Sequence, residues 1–546
     1  MRVISTDVTH PVTAGAGGYA ADLTITGTGA ITPTGAAYDG ATALSVGQGD
    51  VVLNYGAITG AGGAYGKAGG TGVVLASGSL LNQGIITGGH GGDSPGYSFY
   101  AAGAGGAGAI ISGASLINDG TLIGGHGGNG YFHAGAGGAG AELSGGTLVN
   151  NGTIIGGGSG LAGGYGAAGN GAGVIVTGGT LINNGAILTG SGGGVYLSGG
   201  TLIDRGGVIT GGFYLAIQFG AAAATLALYG GARLSAYNAL VVGNTAVNDT
   251  LILAAENAGT ISGLGSRYIG LTTIDVAAGS QWTLSGSNSF AGTVTDSGSL
   301  SFGTASVLSG PVEINAGATL AAAGTLAGAL TDNGVLDVTT GTLALRNLVA
   351  GAGSAVIGAG AVLSASQGGN FGLNASGAGT LDFARGGWTL TGTETVQKLV
   401  IGAHATLTTS ASLTSNLSNF GTLDATGAAV TFSGTLLGRG TTDIGRGTSL
   451  TLETSAASAQ TVQFLAAGAL DLATPGKFAA EISGFGSGDV IDLLNKTVTS
   501  ESYANNTLTL FDHARTVATL HFNGNYTLAS FAIGGDGHGG TDISFQ

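Results

Sequence analysis

The sequence predicts an all-β protein built as a parallel β-helix, a solenoid of stacked rungs. Glycine, sparse charge and internal repetition together predict it. Glycine supplies 115 of 546 residues and proline only 5, yet 43% of positions are hydrophobic. An interior Gly costs a helix about 1 kcal/mol relative to Ala, and no long stretch escapes glycine, so a helical protein is excluded. Collagen is excluded too, because glycine does not fall at every third position and proline is scarce. Disorder requires low hydrophobicity and dense charge, whereas Asp, Glu, Lys and Arg make up 8% of this chain.

Repetition sets the architecture. LNYGAITG at Leu53, LLNQGIITGG at Leu80, LINDGTLIGG at Leu116, LVNNGTIIGG at Leu148, LINNGAILTG at Leu181 and LIDRGGVITG at Leu202 share one pattern. Their turn glycines are Gly56, Gly84, Gly120, Gly152, Gly185 and Gly206. Between Gly185 and Gly206 the Gly-rich insertion of the earlier repeats is missing, which leaves a bare unit of about 20 residues, the size of one β-helix rung. Rungs pair through their backbones about 4.8 Å apart. The insertions that begin at Gly88, Gly124 and Gly156 should therefore stack along one edge, where they cost little. Asn54, Asn82, Asn118, Asn150 and Asn183, with Asp204 sixth, hold one repeat position. Asn tolerates left-handed turns and can bond to its copy one rung away, so these six are expected to form a structural ladder.

Beyond about Ala221 the period loosens but continues through Gly298, Gly317, Gly334, Gly360, Gly379, Gly402 and Gly421. The expected division is a β cap over 1–50, a β-helix with Gly-rich insertion loops over 51–220, a regular β-helix over 221–460 and a C-terminal β domain over 461–546. About 18 rungs would make a rod of roughly 80–90 Å. Trp282 and Trp388, in QWTL and GWTL, are expected inside it.

Charge excludes several partners. The formal net charge is -15, with 13 basic residues, which argues against nucleic acid and anionic membrane surfaces. The absence of Cys removes disulfides, thiol catalysis and cysteine-ligated zinc. The apolar stretch 213–229 is broken by Gln218, Gly220 and Thr225, so no transmembrane span is expected. Asp7, Thr9 and His10 stand where a cleavable secretory signal would need its apolar core.

Three groups are candidates for chemistry or binding. His90 and His126 each occur in GGHGG six residues after a turn glycine, so adjacent rungs should stack their imidazoles. With His133 they form a candidate transition-metal site, against which stands a ladder produced by repetition alone. Tyr97, Phe99, Tyr100, Tyr131, Phe132 and Tyr165 lie among the insertion glycines. Such a stripe suits sugar stacking or protein contact, or it pins loops to the solenoid, and both readings stay open. Glycan hydrolysis or lyase chemistry needs convergent carboxylates or a placed base. Here the acids are spread over separate rungs, and Asp204 beside Arg205 reads as a surface ion pair. No nucleophile triad, Walker loop or dinucleotide loop stands out from the glycine background. Thr positions are not expected to hold the register that an ice-binding array requires.

The L-x-N-x-G-T-I rungs with Gly-rich turns resemble the passenger regions of bacterial autotransporters and related repeat adhesins over about 40–460. The resemblance implies a right-handed β-helix, export and surface contact. The last 86 residues are too few for the membrane barrel of that family. FAAEISGFGSGDVIDLLN at Phe478 resembles the ISxFxxGxDxIDL segment of type I-secreted proteins such as the serralysin group, through Ile482, Ser483, Gly484, Phe485, Gly488, Asp489, Ile491, Asp492 and Leu493. That similarity implies an uncleaved C-terminal secretion signal. GGDGHGGTD at Gly534 has Gly539 where the calcium-binding nonapeptide has Asp, so a calcium roll is not expected. Asp489, Asp492, Asp536 and Asp542 remain the candidate calcium ligands, and apart from such a bound ion no cofactor is expected. The resulting expectation is a non-catalytic extracellular or cell-surface adhesive element whose partner is a surface or matrix glycan or protein. Two alternatives are a fibre subunit that self-associates by end-to-end rung stacking and a polysaccharide-active enzyme.

Overall fold

The computed structural model describes residues 2–94, 96, 99–163, 168–189, 192–427 and 429–546. Two compact units divide it, Met1–Asn288 and Ser289–Gln546.

In the first unit each rung contributes three short strands, as in Val73–Leu75, Ser79–Asn82 and Ile85–Thr87. Each pairs in parallel with its counterparts one rung away. Val73 faces Leu44 and Ala109, Leu80 faces Val52 and Leu116, and Ile86 faces Ile58 and Leu122. The third strand type builds a nine-stranded sheet that belongs wholly to this unit. This is a parallel β-helix. Alternation fixes its register: in Thr180–Asn183, Leu181 and Asn183 are buried while Thr180 and Ile182 face outward. Leu116, Leu148, Leu181, Leu202, Leu226 and Leu251 form one fully buried column, each side chain contributing about 1.5–3 kcal/mol of burial.

The turn glycines serve a close approach between rungs. A Cβ on Gly84, Gly120, Gly152 or Gly185 would overlap the carbonyl of the glycine one rung before. Only Gly206, where the column ends, needs the left-handed region, at φ +87°.

Pairing runs straight through two of the expected boundaries. Asp22–Ile25 pairs with Val51–Asn54, and Thr201–Asp204 with Thr225–Leu228. The first 50 residues are thus ordinary rungs. In the second unit Thr441–Ile444 pairs with Thr461–Phe464 across residue 460.

The second unit continues the parallel pattern, with Ser299–Phe302, Thr319–Ala322, Val335–Val338 and Ser354–Ile357 in succession. Two long strands, Asn374–Leu390 and Glu394–Thr409, pair along most of their length with register shifts after Gly377 and Phe383. The pattern then turns antiparallel. Val490–Leu493 pairs with Thr541–Phe545, and Thr507–Asp512 lies between Ser500–Ala504 and Arg515–Asn523. This antiparallel set forms the C-terminal β cap. Trp282, in the first unit, and Trp388, in the second, are both buried, their indole N–H groups donating to the carbonyls of Ala254 and Arg385 at 3.0 and 2.7 Å. Among the described residues no helix is long and apolar enough to cross a membrane.

Candidate functional site: a polyglycine bundle and its aromatic tip

The Gly-rich insertions are ordered by their own backbones. Each runs out from the solenoid and returns, with a G-G-x triplet repeat such as Gly88-Gly89-His90-Gly91-Gly92-Asp93. The segments are neither helix nor strand. Their three-residue period, with the bonds leaving for neighbouring segments, is that of polyproline II backbone.

The first glycine of each triplet bonds along the stack of insertions. Gly88 N–H donates to Ile123 O, Gly91 to His126 O, Gly124 to Ile155 O and Gly127 to Gly158 O, all at 2.8–2.9 Å. The second glycine bonds across to a returning segment of opposite direction, as in Gly89 to Gly70 O, Gly92 to Lys67 O and Gly125 to Gly106 O. Returning glycines reciprocate, Gly103 donating to Gly92 O and Gly106 to Gly89 O, both at 2.8 Å. Residues 60–72, which do not carry the GGHGG signature, join the same bundle. Two layers of backbone are thus packed with no side chain between them, and a Cβ on Gly89, Gly92, Gly103, Gly106 or Gly125 would overlap a neighbouring carbonyl. At the last insertion Asn170 Oδ1 accepts from Ser159 N–H at 2.8 Å and caps a donor there.

The third residue of each outgoing triplet faces solvent: His90 and Asp93 in one insertion, His126 and Asn129 in the next. His90 and His126 are stacked with ring centroids 5.3 Å apart and planes at 14°. His133 is not in this stack. It sits at the bundle's tip, level with Gly130, several residues beyond His126. Asp93 and Asn129 extend the backbone pattern, their side-chain oxygens accepting from Asn129 N–H at 2.6 Å and Leu161 N–H at 2.9 Å.

Aromatic side chains gather at the tip. Phe99 stacks face to face on Phe132 at 4.5 Å and 6°, and Tyr131 meets Phe132 edge-on at 4.9 Å and 81°. Phe99 and Tyr100 are 79% and 81% exposed and Tyr131 is 40% exposed. Tyr97 and Tyr165 lie outside the described residues.

Inside the solenoid the six polar repeat residues meet one another. Asn54 Nδ2 donates to Asn82 Oδ1 at 2.7 Å, Asn82 to Asn118 at 2.7 Å, Asn118 to Asn150 at 2.8 Å, Asn150 to Asn183 at 2.9 Å and Asn183 to Asp204 Oδ1 at 3.1 Å. All six are fully buried. Asp204 therefore points inward, which overturns its reading as half of a surface ion pair. Its Oδ2 has no partner, and burial pushes its pKa up to about 6. Arg205 instead lies over the Tyr229 ring at 5.0 Å.

The C-terminal acids are dispersed in role. Asp489 is buried with both oxygens occupied by backbone donors, Gly468 N–H at 3.1 Å and Gly486 N–H at 2.8 Å. Asp536 is held by His538 and Gly540 N–H groups at 2.6 and 2.9 Å, which lowers its pKa. Asp492 lies between Asp471 and Asp542 on neighbouring strands, and desolvation followed by those charges pushes its pKa up to about 6. Among the described residues no group of three or more His, Cys, Asp or Glu is arranged to hold a metal ion. Phe485 of the same segment packs among Phe464, Phe522, Phe531 and Phe545.

One surface expectation is corrected. Thr147, Thr180, Thr201, Thr225, Thr250 and Thr273 occupy one outward column in unbroken register, beside a second column of Val149, Ile182, Ile203, Ala227 and Ile252 in which Ala227 is buried. The varied insertion lengths hide this register in the linear sequence. No family model, curated protein or solved structure matches the chain.

Proposed function

We propose that the protein is a non-catalytic extracellular or cell-surface binding element whose contact surface is the aromatic tip of the polyglycine bundle. The observation that carries this reading is the Phe99–Phe132 stack, in which Phe99 is exposed and Phe132 half-buried, on a backbone-bonded support. The insertions are ordered by their own amide network, so the rings are not needed to pin them. Large rings left exposed at the end of a supported projection favour contact with an external partner. Their flat faces suit sugar rings. The clefts at Lys477, Ser301, Glu256, Gln397 and Asp22 each hold at most one carboxylate among the described residues, so none of these five pairs two acids.

Affinity electrophoresis against a panel of bacterial and host polysaccharides tests the proposal. At least one should retard the wild type, and the triple exchange Phe99→Ala, Tyr131→Ala, Phe132→Ala should weaken that binding by roughly tenfold or more without lowering the melting temperature. Undiminished retardation of the triple variant, or no retardation of the wild type by any glycan, would sink it.

A second reading rests on the Thr and aliphatic columns. They present hydroxyl and methyl groups on one parallel sheet at the rung spacing, a pattern matched to a repeating lattice such as ice. Nanolitre osmometry should then record thermal hysteresis that Thr201→Tyr removes. Freezing at the equilibrium point with round, unfaceted discs would dismiss this reading.

A further inference from the structure

The second unit holds a cluster of positive charge that neither the tip nor the ladder explains. Lys477, Lys496 and Arg515 line one cleft of about 470 Å³. The whole chain contains 13 Lys and Arg among 546 residues, so three among the twelve residues lining one cleft is a strong local excess. Three separate segments supply them: the turn Pro475–Lys477, the stretch after Val490–Leu493, and the strand Arg515–Asn523. Among the described residues none of the three forms an ion pair. The one carboxylate in the lining, Asp512, is engaged by His513 Nδ1 at 2.7 Å. Asn495, Thr497 and Thr516 add polar side chains to the wall that make no hydrogen bond with other described residues.

We infer that this cleft is a binding site for an acidic sugar, with the three cations receiving the carboxylate of a uronic acid unit. In a protein of net charge -15 a local positive focus selects an anion against the general field. The volume lies within the ~300–1,000 Å³ range of small-molecule sites, larger than a lone inorganic ion requires. Guanidinium and ammonium groups bind carboxylates through charge-assisted hydrogen bonds, and neutral amide and hydroxyl groups suit the sugar's own hydroxyls. The inference is independent of the aromatic tip, which lies in the other unit.

Isothermal titration of the full chain with trigalacturonate, a neutral trisaccharide, a sulfated disaccharide and inorganic phosphate tests it. Trigalacturonate should bind, more weakly as salt rises, and the neutral sugar should not. The triple exchange Lys477→Gln, Lys496→Gln, Arg515→Gln should weaken the uronate by roughly tenfold or more. All three residues are exposed, so an unchanged melting temperature will show that the fold survives. Asp512→Asn should move affinity the other way, tightening it by removing the opposing carboxylate. No heat with trigalacturonate, equal binding by the triple variant, or binding of phosphate or the sulfated sugar without the uronate would each overturn the assignment.

Discussion

Gly103→Ala is expected to open the polyglycine bundle while leaving the solenoid rungs closed. A methyl group there would overlap the Lys67 carbonyl, the acceptor that Gly92 uses at 2.8 Å, so the returning segment must move away from both neighbours. Overpacking of a tight interior costs about 1–3 kcal/mol, and each amide bond lost adds about 1 kcal/mol. A local loss of roughly 2–4 kcal/mol follows from those figures, large against the stability of any loop. Hydrogen exchange should show protection collapsing across residues 88–92, 103–106 and 124–128 while the amides of Leu116, Leu148 and Leu181 stay protected. Gly169→Ala is the matched control, because nothing lies within 4 Å of a Cβ there and its φ is not left-handed. Equal protection in Gly103→Ala and the parent protein would mean that backbone packing does not hold the bundle together.

That bundle is also where sequence and structure part. The solenoid was legible because L-x-N repeats Leu and Asn at inward positions of four successive rungs, from Leu80 to Asn183, and side chains with strong burial preferences reveal periodicity. Glycine has no such preference, so GGHGGD and GGHGGN read as loop, although their triplet spacing is the one local trace of polyproline II. Their bonding partners lie far along the chain, as Gly89 with Gly70 and Gly91 with His126, and unequal insertion lengths conceal the pairing. Residues 60–72 are concealed in the sequence for the same reason. The Thr column from Thr147 to Thr273 is hidden likewise. Asp204 carries two readings in the sequence, the sixth ladder position and a surface pair with Arg205, and the strand's alternation places it inward with the ladder.

The ladder that Asp204 terminates yields the largest effect in the solenoid itself. Asn118 is fully buried, accepts from Asn82 and donates to Asn150. Asn118→Leu orphans the buried Asn150 Oδ1, at about 1–3 kcal/mol, while Asn82 Nδ2 keeps only the Gly84 and Thr121 carbonyls at 3.3 Å. Chemical denaturation should therefore show that unit losing roughly 1–3 kcal/mol, more than any exposed substitution. At the far end the sign reverses. Burial raises the Asp204 pKa to about 6 from an ordinary 3.8, and Asp296 and Asp332 in the second unit are raised to about 6 by the same cause. A folded state that holds a proton more tightly than the unfolded chain gains stability as pH falls. The gain is complete below about pH 4 and lost as pH rises through about 6, and for Asp204 it corresponds to roughly 3 kcal/mol. The melting temperature should accordingly be higher near pH 4.5 than at pH 7.5. Asp204→Asn should raise the pH 7.5 value of the first unit and flatten its pH dependence, since an amide supplies the same acceptor without the buried charge. A first unit that melts lower at pH 4.5 than at pH 7.5 would show that the ladder ends in a stabilising carboxylate and not in a tolerated one, and an Asp204→Asn variant as pH-sensitive as its parent would show that Asp204 does not carry the pH dependence.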